Sequence, residues 1–282
     1  MFEDMDGSMI DVVKNHVKTL FDEGKIKGFL ALRSWEGNIV PHLYNGPEEL
    51  NNGFSLGDAQ AAGDSRYPLA SVMMNILAED PESAYGMLVR GCDDRALNEL
   101  LRWNQIRSPE RLIRVGIACP SELAMSHECR RPFPAEYIAG EKAEPASYLS
   151  VQEIQAKDLA SRLEYWLKEF DRCIKCYGCR NVCPVCFCNV CTLEQDALIP
   201  TGELPPENPM FHLTRAVHMA GRCIDCNLCT EVCPAEIPLR TLYKGVAKII
   251  EEEFGYVTGV EGEVKSPLNF LGPEPGHTSA ND

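Results

Sequence analysis

The chain has 282 residues, which is enough for about two domains with a sizeable hydrophobic core. Its 45% hydrophobic and 24% charged residues are ordinary for a globular protein and argue against wholesale disorder. A net charge of −15 argues against binding to nucleic acid or to an anionic membrane, because both would be repelled. The sequence has no apolar stretch long enough for a membrane helix and no basic N-terminal signal, so we expect a cytoplasmic protein.

Residues 1–140 have the pattern of an α/β domain. Apolar residues at helical spacing before Gly24 predict one amphipathic helix. Four short apolar runs predict strands, at residues 28–32, 39–44, 84–89 and 112–119. Between the last two runs, residues 96–101 have a helical pattern. The alternation favours a parallel or mixed sheet covered by helices, with right-handed crossovers between parallel strands.

A polar, proline-containing segment at 141–150 predicts a linker to a second domain at 151–255. Ser150 and Glu153 have the spacing of a capping box, so a helix should begin here and lead to the cysteines that follow. Its apolar stripe would include Leu159, Leu163, Trp166 and Leu167.

The end of the sequence predicts one more helix and a tail. The helix should begin after Pro238 and end at Gly255. Residues 256–282 are rich in glycine, proline and polar residues and predict an extended C-terminal tail. Phe270 and Leu271 would either dock on a partner or, as the simpler expectation, belong to a solvated end.

Cysteine is the unusual residue of this sequence, because 11 of the 14 cysteines lie between Cys173 and Cys233. In a chain of this size without a secretory signal, such crowding favours metal or cluster ligation over disulfides. Eight of them form two C-x2-C-x2-C-x3-C-P runs that begin at Cys173 and, 50 residues later, at Cys223. This spacing is typical of bacterial-type ferredoxins, so we expect an α+β dicluster ferredoxin-like second domain with two 4Fe–4S clusters.

The runs also predict how their ligands divide. Three thiolates at successive x2 spacings let one short loop bind three corners of a cubane, and the C-x3-C-P offset carries the fourth thiolate away. In such pairs the fourth cysteine binds the other cluster. Cluster one should therefore be held by Cys173, Cys176, Cys179 and Cys233. Cluster two should be held by Cys223, Cys226, Cys229 and Cys183. Zinc is the alternative, but it usually takes paired C-x2-C knuckles and has no use for a third evenly spaced cysteine.

Cys186, Cys188 and Cys191 follow the first run and exceed the needs of two cubanes. As buried thiols they would act as small apolar side chains beside the cluster. Alternatively, they would replace an expected ligand or hold a third iron–sulfur cluster, with a fourth ligand from one of the remaining cysteines. Those are Cys92, Cys119 and Cys129.

The charges near the two runs differ. Arg172, Lys175 and Arg180 surround the first run, whereas Asp225 and Glu231 accompany the second. Positive surroundings stabilise the reduced, more negative state, so the first cluster is expected to have the higher reduction potential. If the charges are exposed and screened, hydrogen bonds decide the potentials instead.

Histidines are weaker candidates for metal ligation. His212 and His218 lie in a predicted helix at a six-residue spacing that does not put them on one face, so we expect packing histidines. His127 lies near Cys119 and Cys129, but three scattered residues are weak evidence for a Cys/His metal site.

Asp93 and Asp94 follow a predicted strand, at the end where ligand sites of α/β proteins often lie. We favour the simpler interpretation that they cap the following helix. The sequence contains no G-x-G-x-x-G or Walker A run, so no nucleotide fingerprint is available.

The cysteine-rich run at 172–191 (RCIKCYGCRNVCPVCFCNVC) resembles the β subunits of coenzyme F420-dependent, that is deazaflavin-dependent, hydrogenases and formate dehydrogenases. A looser likeness over about residues 25–125 includes the segments at 63–68, 89–93 and 114–119. Related iron–sulfur subunits accompany heterodisulfide-reductase-like complexes. Here the α/β part precedes the cysteine runs, which departs from the family pattern, so no FAD residue is assigned.

The resemblance implies an iron–sulfur electron-transfer subunit of a cytoplasmic multi-subunit oxidoreductase in anaerobic metabolism, with no independent catalytic site. Its partners would be other subunits of a hydrogenase, formate dehydrogenase or heterodisulfide-reductase-like complex. One alternative is an FAD-containing subunit that itself oxidises or reduces a deazaflavin-type carrier. Another is a scaffold whose clusters are structural.

Overall fold

A mixed sheet organises the first half of the chain. The structure, a computed structural model, describes residues 3–57, 66–195, 208–260 and 266–267. The strands are β1 (Gly28–Trp35), β2 (Asn38–Tyr44), β3 (Phe54–Ser55), β4 (Tyr85–Val89) and β5 (Leu112–Gly116). β4 lies between β1 and β5 and is parallel to both, whereas β2 and β3 pair with β1 in antiparallel orientation. The prediction of an α/β fold with a mixed sheet is confirmed.

Helices cover both faces of this sheet because side chains alternate along each strand. The helices of the first half are α1 (Glu3–Asp22), α2 (Leu69–Glu79) and α3 (Gly91–Arg102). Phe29 and Ala31 of β1 pack in one apolar cluster with Val17 of α1. Leu30 and Leu32 point to the opposite face and join the cluster that contains α2 and α3. The sequence pattern predicted α1 and α3 but missed α2.

The described residues that follow β5 form helices and loops, with one isolated β-bridge between Ile117 and Ala139. The longer helices are α4 (Ser121–Ser126), α5 (Leu149–Gln155), α6 (Leu159–Asp171), α8 (Asn208–Met219) and α10 (Leu239–Phe254). Two single-turn helices are α7 (Gly178–Asn181) and α9 (Leu228–Glu231). None of the described helices combines the length and the apolar character that a bilayer crossing requires.

One apolar cluster joins the two halves of the chain. Met87 of β4 and Leu97 of α3 belong to the same buried cluster as Phe211 of α8 and Tyr243 of α10. The cysteine-rich half therefore packs directly on the helix-covered sheet. The domain limits at 141–150 and 255 remain predictions from composition.

The helix predicted to begin with a capping box at Ser150 is two helices. Ser150 donates its backbone N–H and its hydroxyl to the Glu128 carboxylate, at 2.9 and 2.7 Å, instead of capping a helix. α6 begins after Asp158, whose carboxylate accepts from the Ser161 N–H at 3.0 Å. The expected apolar stripe on α6 is largely exposed: Leu159 is 76% and Leu163 59% accessible.

The helix predicted after Pro238 is α10, and Gly255 ends it in the left-handed conformation with φ 63°. Beyond it, Tyr256 is 2% exposed. Its hydroxyl donates to the buried Glu99 carboxyl of α3 at 2.6 Å, and the Gly259 N–H donates to the same oxygen at 2.8 Å. The expectation of a solvated tail is therefore wrong for residues 256–260. Phe270 and Leu271 lie outside the described residues.

Replacing Tyr256 with Phe should destabilise the protein by about 2 kcal/mol, because a buried carboxyl loses a hydrogen-bond donor. Anaerobic thermal unfolding followed by circular dichroism should show a Tm lowered by about 4 °C. Tyr137→Phe is the matched control, since that side chain is 37% exposed and should unfold like the wild type. An unchanged Tm for Tyr256→Phe would contradict the docking of this segment.

Candidate functional site

The two cysteine runs fold into matching loops. Lys175 and Tyr177 in the first loop have φ values of 53° and 61°, and Asp225 and Asn227 at the equivalent positions of the second have 59° and 69°. The left-handed conformation is uncommon for residues other than glycine, so its occurrence at the same positions is a strong sign of a shared loop geometry. Each loop ends in a single-turn helix, α7 or α9, and these two helices contact each other. The sequence repeat is therefore a structural repeat.

Three cysteines of the first run share a cavity with the last cysteine of the second run. The lining includes Cys173, Cys176, Cys179 and Cys233. Its empty volume, counted with the solvent that opens into it, is about 340 Å³. Burial raises the pKa of Cys179 to about 11, and the charges of Cys173, Cys176 and Cys233 add to this rise against the opposing charge of Arg215. The fold thus brings Cys233 to the first loop.

The other fourth cysteine lies near the second loop. Burial raises the pKa of Cys223 to about 12, and the charges of Asp225 and Cys183 contribute to the rise. Burial also raises the pKa values of Cys226 and Cys229, and Cys183 again contributes through its charge. Cys183 therefore lies within electrostatic range of all three cysteines of the second loop.

Arg215 of α8 lies between these two groups of cysteines. It is 2% exposed. Its Nη2 donates to the Cys179 carbonyl at 2.8 Å, and its Nη1 lies 3.9 Å from the Cys186 Sγ. Burial alone would lower the pKa of Arg215, but nearby Tyr243 and cysteines, including Cys183, raise it well above its usual value. Among the described residues, Arg215 takes part in no ion pair, and the groups that favour its charge are Tyr243 and the cysteines around it.

The three excess cysteines have different environments. Cys186 lies beside Arg215, as described above. Cys188 is exposed, so the expectation of a buried apolar thiol is wrong for it. Cys191 lies close to Arg180, which pairs with Glu194. The cysteines considered as a fourth ligand for this group, Cys92, Cys119 and Cys129, line a different cavity together with Cys226.

The predicted packing role of His212 is confirmed. His212 is 1% exposed, and its ring stacks on Phe170 with 4.4 Å between centroids. Burial, with a smaller effect of the Arg215 charge, lowers the pKa of His212 to about 4. His218, farther along α8, is exposed.

His127 does lie with Cys119 and Cys129, in the cavity just named. It is 9% exposed, and its Nε2 is 3.4 Å from the Glu231 carboxylate. Burial lowers the pKa of His127 to about 3, with further lowering by Arg66 and other cations. Among the described residues, no three His, Cys, Asp or Glu side chains converge on a point that would hold a single metal ion. A cubane takes one thiolate at each iron, so its ligands need no such convergence.

The acidic residues singled out in the sequence are engaged by partners. Asp93 accepts the Arg90 N–H at 3.0 Å and so caps α3 from its third position, not as the N-cap residue itself. Asp94 pairs with Arg114 at 2.6 Å.

In the folded protein, the acidic residues of the second run are paired with cations from distant parts of the sequence. Asp225 pairs with Arg240 at 2.7 Å, and Glu231 pairs with Arg66. The nearly buried Lys244 lies 3.7 Å from Asp225 as well. The charge argument for a higher potential at the first cluster is therefore lost, because buried cations offset the acids of the second run.

His212 should make the free energy of unfolding depend on pH. Its folded-state pKa of about 4 lies below the unfolded value of about 6.5, so the unfolded chain takes up a proton first as the pH falls. Stability is lost from about pH 6.5 downwards and amounts to about 2 kcal/mol at pH 5. His212→Phe, which retains an aromatic stack, should lose about 2 kcal/mol less than the wild type between pH 7.5 and pH 5 in anaerobic urea unfolding.

His16→Phe is the control for this measurement, because His16 is exposed on α1. It should follow the pH dependence of the wild type. Parallel losses of stability in the wild type and in His212→Phe would show that His212 does not cause the acid sensitivity.

Comparison with known proteins places relatives of this chain among formate dehydrogenase subunits. The chain is 37% identical over 144 residues to the F420-dependent formate dehydrogenase subunit beta of Methanocaldococcus jannaschii, which covers 50% of this chain and 38% of that protein. It is 43% identical over 106 residues to the F420-dependent formate dehydrogenase 1 subunit beta of Methanococcus maripaludis, which covers 38% of this chain and 27% of that protein.

A third relative is the acetyl-CoA decarbonylase/synthase complex subunit alpha 1 of Methanosarcina mazei, 35% identical over 100 residues, or 35% of this chain and 11% of that protein. No protein-family model matches the chain. The alignments span well under half the length of these relatives. Within that span, the resemblance of this chain to the β subunits of F420-dependent formate dehydrogenases is confirmed.

Proposed function

We propose that this chain is an iron–sulfur electron-transfer subunit of a multi-subunit oxidoreductase, related to the β subunits of formate dehydrogenases. The observation that carries the proposal is that Cys233 of the second loop lines one cavity with three cysteines of the matching first loop. Cys233 of the second run shares the cavity of the first loop, and Cys183 of the first run lies near the second. When bound, two 4Fe–4S clusters would each accept and release single electrons.

The residues around the cysteines fit an anionic group. Arg215 is buried without a carboxylate partner, and its Nε has no hydrogen-bond partner among the described residues. A buried cation of this kind is costly unless negative charge lies nearby. Thiolates bound to a cluster supply that charge on both sides of Arg215, next to Cys179 and next to Cys183.

The loop backbone also fits a cluster better than a simple metal ion. The Lys175 N–H points to the Cys173 Sγ at 3.3 Å, and hydrogen bonds to sulfur are one means by which proteins tune iron–sulfur potentials. The third evenly spaced cysteine in each loop has no role in a paired zinc knuckle. The matched left-handed residues at 175, 177, 225 and 227 make both loops wrap in the same way.

Exposed apolar side chains support the role of a subunit. Leu163 of α6 is 59% exposed, and Leu213 and Val217 of the adjacent α8 are each 58% exposed. α6 ends two residues before Cys173. Exposed apolar side chains on two adjacent helices suit an interface, and here it would bring a partner subunit of the redox complex close to the first loop.

The proposed wiring predicts which cysteine variants behave alike. Cys233→Ala should lose the same cluster as Cys173→Ala, and Cys183→Ala the same cluster as Cys223→Ala, each with a loss of about four iron atoms. Electron paramagnetic resonance of the reduced, anaerobically prepared chain, together with iron and sulfide analysis, would identify the missing cluster. A Cys183→Ala spectrum that matches Cys173→Ala would show uncrossed wiring. Zinc without sulfide in the wild type would overturn the proposal.

Arg215 predicts a shift in reduction potential. Arg215→Gln removes a buried positive charge beside both groups of cysteines, so reduction becomes less favourable and both potentials should become more negative. Arg215→Lys retains the charge and should keep the potentials closer to those of the wild type. A spectroscopic redox titration of the three proteins makes the comparison, and unchanged potentials in Arg215→Gln would contradict the role given to this charge.

A further inference from the structure

Three cysteines outside the two runs meet at one edge of the sheet. Cys92 follows the carboxyl end of β4, and Cys119 follows the carboxyl end of β5. β4 and β5 are parallel neighbours, so both ends lie at the same edge. In open α/β sheets, ligands bind at this edge.

The segment after α4 brings Cys129 to the same edge. The Cys129 N–H donates to the Ala124 carbonyl at 2.8 Å, and the Cys119 N–H donates to the Pro132 carbonyl at 2.7 Å. Gly116 allows this close approach, because a Cβ there would lie 2.0 Å from the Glu136 carbonyl oxygen. The position of Cys129 beside Cys119 is therefore built into the fold.

The three cysteines line a common cavity. Cys226 of the second loop and His127 also line it.

The surroundings of this cavity are cationic. Arg90 and Arg95 are 8% and 7% exposed, and Arg95 lies against both Cys92 and Cys129. Their guanidinium groups donate to backbone carbonyls, Arg90 to Leu56 and Arg95 to Ile224. Neither takes part in the ion pairs found among the described residues. Asp93 lies within electrostatic range of both arginines, and Asp225 lines the cavity near Arg95. Two guanidinium groups beside three thiols suit an anionic ligand that binds to cysteine sulfur.

We propose that Cys92, Cys119 and Cys129 hold a further iron–sulfur cluster, with the His127 imidazole as its fourth ligand. The Nε2 of His127 is 3.4 Å from the Glu231 carboxylate. A carboxylate on one ring nitrogen is the kind of partner that orients a histidine to bind metal through the other nitrogen. The inference rests on the proposed electron relay and extends it. A cluster at this place would adjoin the second loop through Cys226 and would connect the α/β half to the relay.

This ligand set differs from the group formed by Cys186, Cys188 and Cys191. Cys186 lies beside Arg215, and Cys191 lies beside Arg180. Cys188 is exposed. Two triple variants of the full chain therefore provide a matched test. One replaces Cys92, Cys119 and Cys129 with alanine, and the other replaces Cys186, Cys188 and Cys191.

The full chain would be prepared anaerobically, reconstituted with ferrous iron and sulfide, and analysed for iron, zinc and acid-labile sulfide. We expect about twelve iron atoms in the wild type, about eight in the first triple variant and about twelve in the second. The paramagnetic signals of the two other clusters should persist in the first variant, which also shows that it folds. Cys119→Ala alone should give the same loss if the triple variant is unstable.

Other outcomes overturn the inference in distinguishable ways. About eight iron atoms in the wild type and in the first triple variant would leave the relay intact and remove the additional cluster. A loss of iron confined to the second triple variant would assign the additional cluster to Cys186, Cys188 and Cys191. A loss of zinc from the first triple variant would show that Cys92, Cys119 and Cys129 form a zinc site instead. An unaltered spectrum in His127→Ala would exclude the imidazole ligand. A wild type that contains neither iron nor sulfide would instead overturn the proposed function.

Discussion

Buried positive charge around cysteine sulfur is the constraint on which the rest of this structure depends. The chain carries a net charge of −15, yet Arg90, Arg95 and Arg215 are all nearly buried and take part in none of the ion pairs found among the described residues. A buried guanidinium without compensation costs several kcal/mol, more than a single well-packed side chain can offset. The iron–sulfur clusters that we propose would place negative charge beside these arginines. Neutral thiols would not supply that charge.

The α/β half of the chain also helps to hold the second cysteine loop in place. Arg95 of α3 donates to the Ile224 carbonyl at 2.9 Å, and Arg66 donates to the Cys226 carbonyl and pairs with Glu231. Glu99, also on α3, binds the segment that follows α10. Side chains from the sheet half thus hold the backbone of the second loop, in addition to the apolar core that the two halves share.

Local patterns in the sequence predicted much of this architecture. The strands at β1, β2, β4 and β5 follow apolar runs bounded by turns, and α10 begins at Pro238 and ends at Gly255 as its signals indicate. α2 was missed because its sequence is apolar nearly throughout and has no side-chain cap, so it offers no contrast between faces. The capping box at Ser150 failed because Glu128, 22 residues earlier, competes for both donors of that serine.

The sequence predicted those features of the site that depend on residues close together in the chain. The spacing within each run indicated a three-cysteine loop, and the resemblance to dicluster ferredoxins indicated the exchange of the fourth. The meeting of Cys92, Cys119 and Cys129 depends on the parallel order of β4 and β5 and on the return of the segment after α4, and no spacing in the sequence encodes that. The charge argument from neighbours in sequence failed for the same reason, since Arg66 and Arg240 reach the second run from distant positions.

The exchange of Cys183 and Cys233 that we propose would have a consequence for assembly. Each cluster would take ligands from both loops, so neither could be completed until both loops and the helices between them are in place. Ligand binding is then coupled to folding, because a preformed site does not exist in the unfolded chain. Arg215 would strengthen this coupling, because it lies near cysteines of both groups and loss of either cluster would remove part of the charge that makes its burial tolerable. The same residue that would favour reduction therefore also links the stability of the two loops to each other.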